Sequence, residues 1–122
     1  MAHSINWFEI PVTDFERAKK FYGELFGKEL HTEKIGEYYM GFFPGEQGDV
    51  CGSIVHGEGY EPCDKGTLVY LNGGEDLSGM LSKAEAAGGK VVVPKTQITP
   101  EIGFYSIFMD TEGNKIAVNS SK

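Results

Sequence analysis

Residues 12–27 read VTDFERAKKFYGELFG, and their pattern indicates an amphipathic helix. The apolar residues recur at helical spacing and form one stripe, made of Phe15, Ala18, Phe21, Tyr22, Leu25 and Phe26. Asp14 or Thr13 is placed to cap the start of the helix, and Gly27 is placed to end it. The stripe is typical of a helix that packs on a hydrophobic core.

The segments on either side of this helix indicate short strands. Residues 5–12 (INWFEIPV) are rich in β-branched and aromatic residues, which favour a strand. Three further strand candidates follow at residues 29–33, 38–44 and 50–56, separated by turns that contain glycine. The first half is therefore predicted as a β-α-β-β-β module over residues 5–57.

The second half repeats the same order of elements. A connector at residues 58–66 lacks periodicity, and the second module is predicted to span residues 67–120. Within it we predict a strand at residues 67–72, a helix at 75–87 and a strand at 90–93. A loop at 94–100 is predicted to follow, and then two further strands at 104–109 and 115–119. The 122 residues are thus predicted to form one domain of two related modules.

The composition excludes several classes of protein. A formal net charge of −7 disfavours nucleic acid and anionic membranes as partners, because both require clustered Lys and Arg. No apolar run approaches the length of a membrane span, and no signal peptide is evident. Cys51 and Cys63 do not form a CxxC motif, so we expect free thiols and a cytoplasmic protein.

Three stretches together resemble the vicinal oxygen chelate superfamily, which includes glyoxalases, bleomycin resistance proteins and dioxygenases. They are residues 12–27, EAAGGK at 85–90, and FMDTEGNKIAV at 108–118. The resemblance implies an α+β fold in which the two modules form one curled eight-stranded mixed sheet around a cleft, with the helices outside. It also implies a small-molecule ligand in that cleft and a homodimer.

Most catalytic members of that family hold a divalent metal ion with His, Gln or Glu side chains at four strand positions. Carried over to this sequence, the positions fall on Trp7, on Ser53 or its neighbours Cys51 and Gly52, on Thr67, and on Ala117. None of these residues is His, Gln or Glu, so we predict neither a metal site nor a cofactor. The histidines show no metal-binding motif either; they are His3, His31 and His56.

Strand alternation predicts which side chains share the cleft with Trp7. The predicted lining is mostly apolar with a few polar points, and consists of Trp7, Glu9, Ser53, Thr67, Val69, Leu71, Tyr105, Ile107, Met109, Ala117 and Asn119. Such a mixture suits a small organic ligand. Glu9 is the candidate catalytic residue, because burial against Trp7 would raise its pKa and favour a role as general base.

Two functions fit these residues, and a third stays open. The first is binding or sequestration of a small organic molecule without a metal ion. The alternative is a divergent lyase or isomerase of the glyoxalase type that uses Glu9 as general base. The third is an interaction module without a small ligand, for which the aromatic residues of YYMGFF at 38–43 would provide the surface.

Overall fold

A computed structural model describes residues 4–122, so His3 lies outside the described residues. Residues 4–122 form two helices and eight strands in the predicted order. In chain order they are β1 Trp7–Pro11, α1 Phe15–Phe26, β2 His31–Ile35, β3 Tyr38–Phe42, β4 Cys51–His56, β5 Tyr70–Asn72, α2 Ser78–Ala86, β6 Lys90–Thr99, β7 Gly103–Met109 and β8 Lys115–Ser120. Neither helix has both the length and the apolar composition needed to cross a bilayer.

The strands form two separate four-stranded sheets. The N-terminal sheet has the order β1-β4-β3-β2 and the C-terminal sheet the order β5-β8-β7-β6. In each sheet the first strand of the module runs parallel to the last, and the other pairs are antiparallel. The predicted α+β class and the repeated βαβββ order are confirmed. The single curled eight-stranded sheet is not observed, because β1 and β5 are edge strands of different sheets.

Helix α1 forms as the sequence predicts. The Asp14 side chain caps it by accepting a hydrogen bond from the backbone N–H of Arg17 at 3.1 Å. Gly27 ends it in the left-handed conformation, with a φ of 71° that favours glycine. Phe21, Tyr22 and the other residues of the apolar stripe are buried, except that Phe26 is only partly so.

Each sheet has an inner face that packs on the helices and an outer face that does not. The inner faces meet in one hydrophobic cluster, to which Ile54 of β4 and Val118 of β8 both belong. Helix α1 contacts both sides, since the Phe21 ring lies 6.0 Å from that of Phe108 on β7 and the Phe26 ring 5.2 Å from that of Phe43, directly after β3. The helices therefore lie in a core shared by the two sheets, rather than outside a curled sheet.

Two strands of the second module differ from prediction. The loop expected at residues 94–100 instead continues β6 to Thr99, with irregular register on either side of Pro94. Because β6 is an edge strand, a proline without an N–H group is tolerated there. Strand β5 begins at Tyr70, three residues later than predicted.

The turn between β7 and β8 joins the two modules through Asp110. This buried carboxylate accepts hydrogen bonds from the Tyr22 hydroxyl of α1 at 2.6 Å and from the backbone N–H groups of Glu112 and Asn114. Burial and the charge of Asp110 raise the pKa of Tyr22 well above its ordinary value. The Asn114 amide also donates to the backbone oxygen of Pro11 at 2.7 Å, which ties the turn to the end of β1.

Glu112 of the same turn binds the start of α1. One of its oxygens accepts the backbone N–H groups of Thr13 at 2.9 Å and Asp14 at 2.7 Å, and the other accepts the Arg17 side chain at 2.6 Å. Burial opposes ionisation of Glu112, but the hydrogen bonds from Arg17 and Asp14 outweigh it, and the pKa of Glu112 is lowered. The turn thus satisfies backbone groups at the N-terminus of a helix in the other module.

We predict that Glu112→Gln lowers the free energy of unfolding by about 1.5–3 kcal/mol at neutral pH, since it weakens hydrogen bonds to a charged group. The pKa of Glu112 is lower in the folded than in the unfolded chain. Its stabilisation is therefore complete above the ordinary glutamate pKa of about 4.3 and is lost as the pH falls through the folded value. Urea unfolding should show the difference between wild type and variant shrinking on acidification, whereas the exposed control Glu37→Gln should show little difference at either pH. A constant difference across that range would contradict this account.

Candidate functional site

The outer face of the N-terminal sheet brings together three of the predicted site residues. Glu9 of β1 pairs with Ser53 of β4, which in turn pairs with Phe42 of β3. Trp7 lies on the same face, 42% exposed, with its ring 5.9 Å from that of Phe42. Trp7, Glu9 and Ser53 thus share one surface, as strand alternation predicts.

Glu9 on this face is held by a residue of the connector. The hydroxyl of Tyr60 donates a hydrogen bond to Oε1 of Glu9 at 2.8 Å, and this bond is the main cause of a raised pKa of Tyr60. The Tyr60 ring packs edge-on against Tyr38 with 5.7 Å between centroids. Glu9 is exposed, so the buried surroundings expected for it are absent in the single chain. Sequence reasoning missed Tyr60 because the connector has no periodicity and the contact spans 51 residues.

Ser53 is fully buried, and its hydroxyl has no hydrogen-bond partner within the described residues. Leaving such a hydroxyl unpaired costs about 1–3 kcal/mol, so the core alone does not explain a serine here. Ser106 of the other module is equally buried, but its hydroxyl donates to the backbone oxygen of Val93 at 2.6 Å. The unpaired hydroxyl lies directly beside Glu9 in the sheet.

The outer face of the C-terminal sheet carries five other predicted site residues, one of which is Met109 of β7. Ile107 of β7 pairs with Ala117 of β8, and Tyr105 pairs with Asn119. The Asn119 amide donates to the backbone oxygen of Phe104 at 2.9 Å, so this polar group is already bonded. The face also carries Tyr70 of β5, which pairs with Ala117 and is 53% exposed.

The assignment of Val69 and Leu71 to that outer face is wrong. Leu71 is buried in the core, and Val69 packs against it. The register instead pairs Tyr70 with Ala117, so the side chain of Tyr70 lies on the outer face. Alternation counted from Thr67 had placed it on the inner face. The error follows from starting the strand at Thr67, because a shift by one residue moves every side chain to the opposite face.

A cleft of about 180 Å³ lies where the end of β1 approaches the start of β5 and β8. Glu9, Thr67 and Val69 all line it, so the structure does bring these three predicted residues together. Lys65 and Lys115 line it as well, which gives the cleft charges of both signs. A larger and more apolar groove of about 960 Å³ lies along the other end of β1 and was not predicted; its lining includes Phe8, Phe26, Phe43, Cys51, Val69 and Tyr70.

The four positions at which the resemblance implies metal ligands do not fit a divalent ion. Trp7 and Ala117 have no side-chain donor atom for a metal, and Ala117 is fully buried. Thr67 is exposed and lies outside the paired strand. Among residues 4–122, His, Cys, Asp and Glu side chains do not come together in any group of three or more suited to hold a metal ion.

Comparison with known proteins agrees with this architecture. A sequence profile of the Glyoxalase/Bleomycin resistance protein/Dioxygenase superfamily matches residues 4–118. The chain belongs to this superfamily. A relative from Didymella fabae, described as a glyoxylase-like domain-containing protein, is 30% identical over 119 residues, which covers 93% of this chain and 91% of the relative.

Solved structures of this superfamily share the fold at low identity. A glyoxalase/bleomycin resistance protein from Albidiferax ferrireducens T118 superimposes with a TM-score of 0.73 at 17% identity, over 95% of this chain and 97% of that one. Glyoxalase I from Zea mays superimposes with a TM-score of 0.72 at 19% identity, over 95% of this chain. This chain spans 44% of the maize protein, so the superposition shows the fold of one part of it.

We predict that Ser53→Ala leaves the free energy of unfolding unchanged or raises it by up to about 1 kcal/mol, because no hydrogen bond is lost. Ser106→Ala is the matched control, and it should lose about 1 kcal/mol because it removes the hydrogen bond to the Val93 oxygen. Chemical denaturation of both variants measures the difference. A loss at Ser53 as large as that at Ser106 would show that Ser53 is a structural hydrogen-bonding residue.

Proposed function

We propose that this protein binds a small organic molecule at the outer face of the N-terminal sheet, without a divalent metal ion. The observation that carries the proposal is the strand register, which aligns Trp7, Glu9 and Phe42 on one exposed face beside the unpaired hydroxyl of Ser53. Aromatic surface with a few polar groups is typical of sites for small organic ligands. The ligand would be sequestered or carried rather than converted.

The residues at the four positions where the resemblance implies metal ligands support a site without a metal ion. Stable binding of a divalent ion requires several N, O or S donors that converge on one point. Trp7 and Ala117 cannot supply such donors, and the two strands that carry them belong to different sheets. The proposed binding therefore requires no metal ion.

We further propose that the protein is a homodimer in which the outer face of the N-terminal sheet meets the outer face of the partner's C-terminal sheet. In the single chain both faces expose large apolar side chains, among them Trp7, Ile35, Tyr38 and Tyr70. Exposed apolar surface of this kind marks sites of interaction. A dimer of this arrangement would enclose the Glu9 site between two sheets.

The charges of the two faces are complementary. The strand residues of the N-terminal outer face include Glu9 and Glu33 but no Lys or Arg. Those of the C-terminal outer face include Lys90 and Lys115 but no Asp or Glu. Opposite charges favour contact between unlike faces and disfavour contact between like faces. The partner that fits is therefore a second copy of this chain.

The alternative function, a lyase or isomerase reaction with Glu9 as general base, has one observation in its favour. The hydrogen bond from Tyr60 engages Oε1 and fixes the carboxylate, while Oε2 makes no hydrogen bond to any described residue. A general base must reach the proton it removes, and Oε2 is available for that. If a reaction is found, Glu9→Gln should abolish it while leaving ligand binding measurable.

The state of the two cysteines is relevant to the cellular compartment of the protein. Cys51 is half-buried in β4 and Cys63 is exposed in the connector, and the two are free thiols. Free thiols persist in reducing compartments. We therefore propose a cytoplasmic location.

We predict that aromatic ligands change the fluorescence of Trp7, the single tryptophan of the sequence, and that a chelator such as EDTA leaves the affinity unchanged. A panel of neutral, cationic and anionic aromatic compounds should be titrated with and without EDTA. Binding that disappears with EDTA and returns with a divalent ion would contradict the proposal. A panel in which no compound alters the Trp7 emission or the melting temperature would also contradict it.

We predict that Tyr70→Glu dissociates the dimer, whereas the matched variant Tyr70→Lys weakens it less. A glutamate at this position would face Glu9 and Glu33 of the partner, but a lysine would face opposite charge. The side chain is 53% exposed, so neither change should alter the stability of the folded single chain by more than about 0.5 kcal/mol. Light scattering coupled to size-exclusion chromatography measures the mass. A monomeric wild type, or equal masses for both variants, would refute this arrangement.

A further inference from the structure

We infer that the ligand of this site carries an ammonium group beside an aromatic ring, and that Tyr60 is a residue that determines this specificity. The inference rests on the proposed function, because it names the class of molecule bound at the same surface. Its basis is the combination of one available carboxylate oxygen with aromatic rings on both sides of it.

The carboxylate of Glu9 favours a ligand that carries a hydrogen-bond donor group. An ionised carboxylate only accepts hydrogen bonds, and Tyr60 engages one of its two oxygens. Glu33, the other acid of this face, already lies 3.0 Å from the His31 ring nitrogen. Glu9 is therefore the acid on this face that remains for a donor group of the ligand.

Lysines of the same chain form no ion pair with Glu9 within residues 4–122. Lys65 and Lys115 line the same small cleft, but neither forms an ion pair with Glu9. The chain as a whole carries a formal net charge of −7, which attracts cations and repels anions at long range. An ammonium group would thus meet a carboxylate that has no ion-pair partner among residues 4–122 of the single chain, on a protein of negative net charge.

Aromatic rings flank the carboxylate on two sides. Trp7 and Phe42 lie on the sheet, with ring centroids 5.9 Å apart. Tyr60 of the connector packs on Tyr38 at the start of β3, with centroids 5.7 Å apart. Ring faces attract a cation, and those of Trp and Tyr do so best. A carboxylate with rings on either side is suited to an arylalkylammonium ion.

Tyr60 reaches the site because the connector folds closely over Tyr38. A side chain at Gly57 would overlap the Tyr38 ring, so glycine is required for this approach. A turn closed by the bond from the Tyr60 N–H to the Gly57 oxygen, at 3.1 Å, then directs Tyr60 towards Glu9. The connector thus supplies both a ring and the hydroxyl that orients the carboxylate.

The test uses three probes of similar shape and different charge, which are 2-phenylethylammonium, 2-phenylethanol and 3-phenylpropanoate. Titration of the full chain, followed by Trp7 fluorescence, should show the cation binding about tenfold more tightly than the alcohol, and the anion most weakly. Glu9→Gln should remove the preference for the cation. Glu58→Gln, an exposed charge change in the connector, is the matched control and should keep it.

Two substitutions of Tyr60 separate its ring from its hydroxyl. Tyr60→Leu removes both and should reduce the ratio of cation to alcohol affinity by about fivefold, whereas Tyr60→Phe keeps the ring and should retain most of that ratio. Circular dichroism confirms that each variant is folded. A ratio unchanged in Tyr60→Leu would overturn the role of Tyr60.

The outcomes also separate this inference from the proposed function. If the alcohol or the anion binds as tightly as the cation, the ligand class is wrong while small-molecule binding stands. If all three probes leave the Trp7 emission unchanged but other compounds of the wider panel bind, the inference again fails alone. If no compound of the wider panel binds, both the ligand class and the proposed small-molecule binding are contradicted.

Discussion

The structure depends on the turn at residues 110–114. This turn belongs to the second module, but its side chains form hydrogen bonds with residues of the first. Its Asp110 and Glu112 carboxylates receive the Tyr22 hydroxyl and the backbone groups at the start of α1, and its Asn114 amide binds the end of β1. Buried carboxylates are stable only when paired in this way. The turn therefore fixes the position of α1 against the C-terminal sheet, and with it the relation between the two modules.

That relation explains where the candidate site lies. Since α1 packs on the inner faces of both sheets, those faces form one core and the outer faces are left uncovered. Trp7 lies on the outer face of the N-terminal sheet and Ala117 on the outer face of the C-terminal sheet. A site assembled on exposed sheet faces requires a cover, and the proposed second copy with complementary charges would provide it. Ligand binding and dimer formation are in this view consequences of one packing arrangement.

Much of the fold follows from the sequence, because it is encoded locally. The stripe and caps of α1 and the order of the strands are read from neighbouring residues. The separation into two sheets is not, since it depends on which face of each sheet the helices cover. The start of β5 was missed because Thr67 is as favourable to a strand as Tyr70, and Val69 and Leu71 were consequently placed on the wrong face. Tyr60 was missed because a bond between residues 51 positions apart leaves no local pattern.

The surface around Trp7 and Glu9 is proposed to bind its ligand without a metal ion. The most direct measurement is an anomalous-difference map from crystals grown with excess manganese and an aromatic ligand. We expect ligand density against the Trp7 ring and no anomalous peak within coordination distance of Ser53, Thr67 or Tyr70. A strong peak at that location, coordinated by side chains of one or two copies, would contradict it.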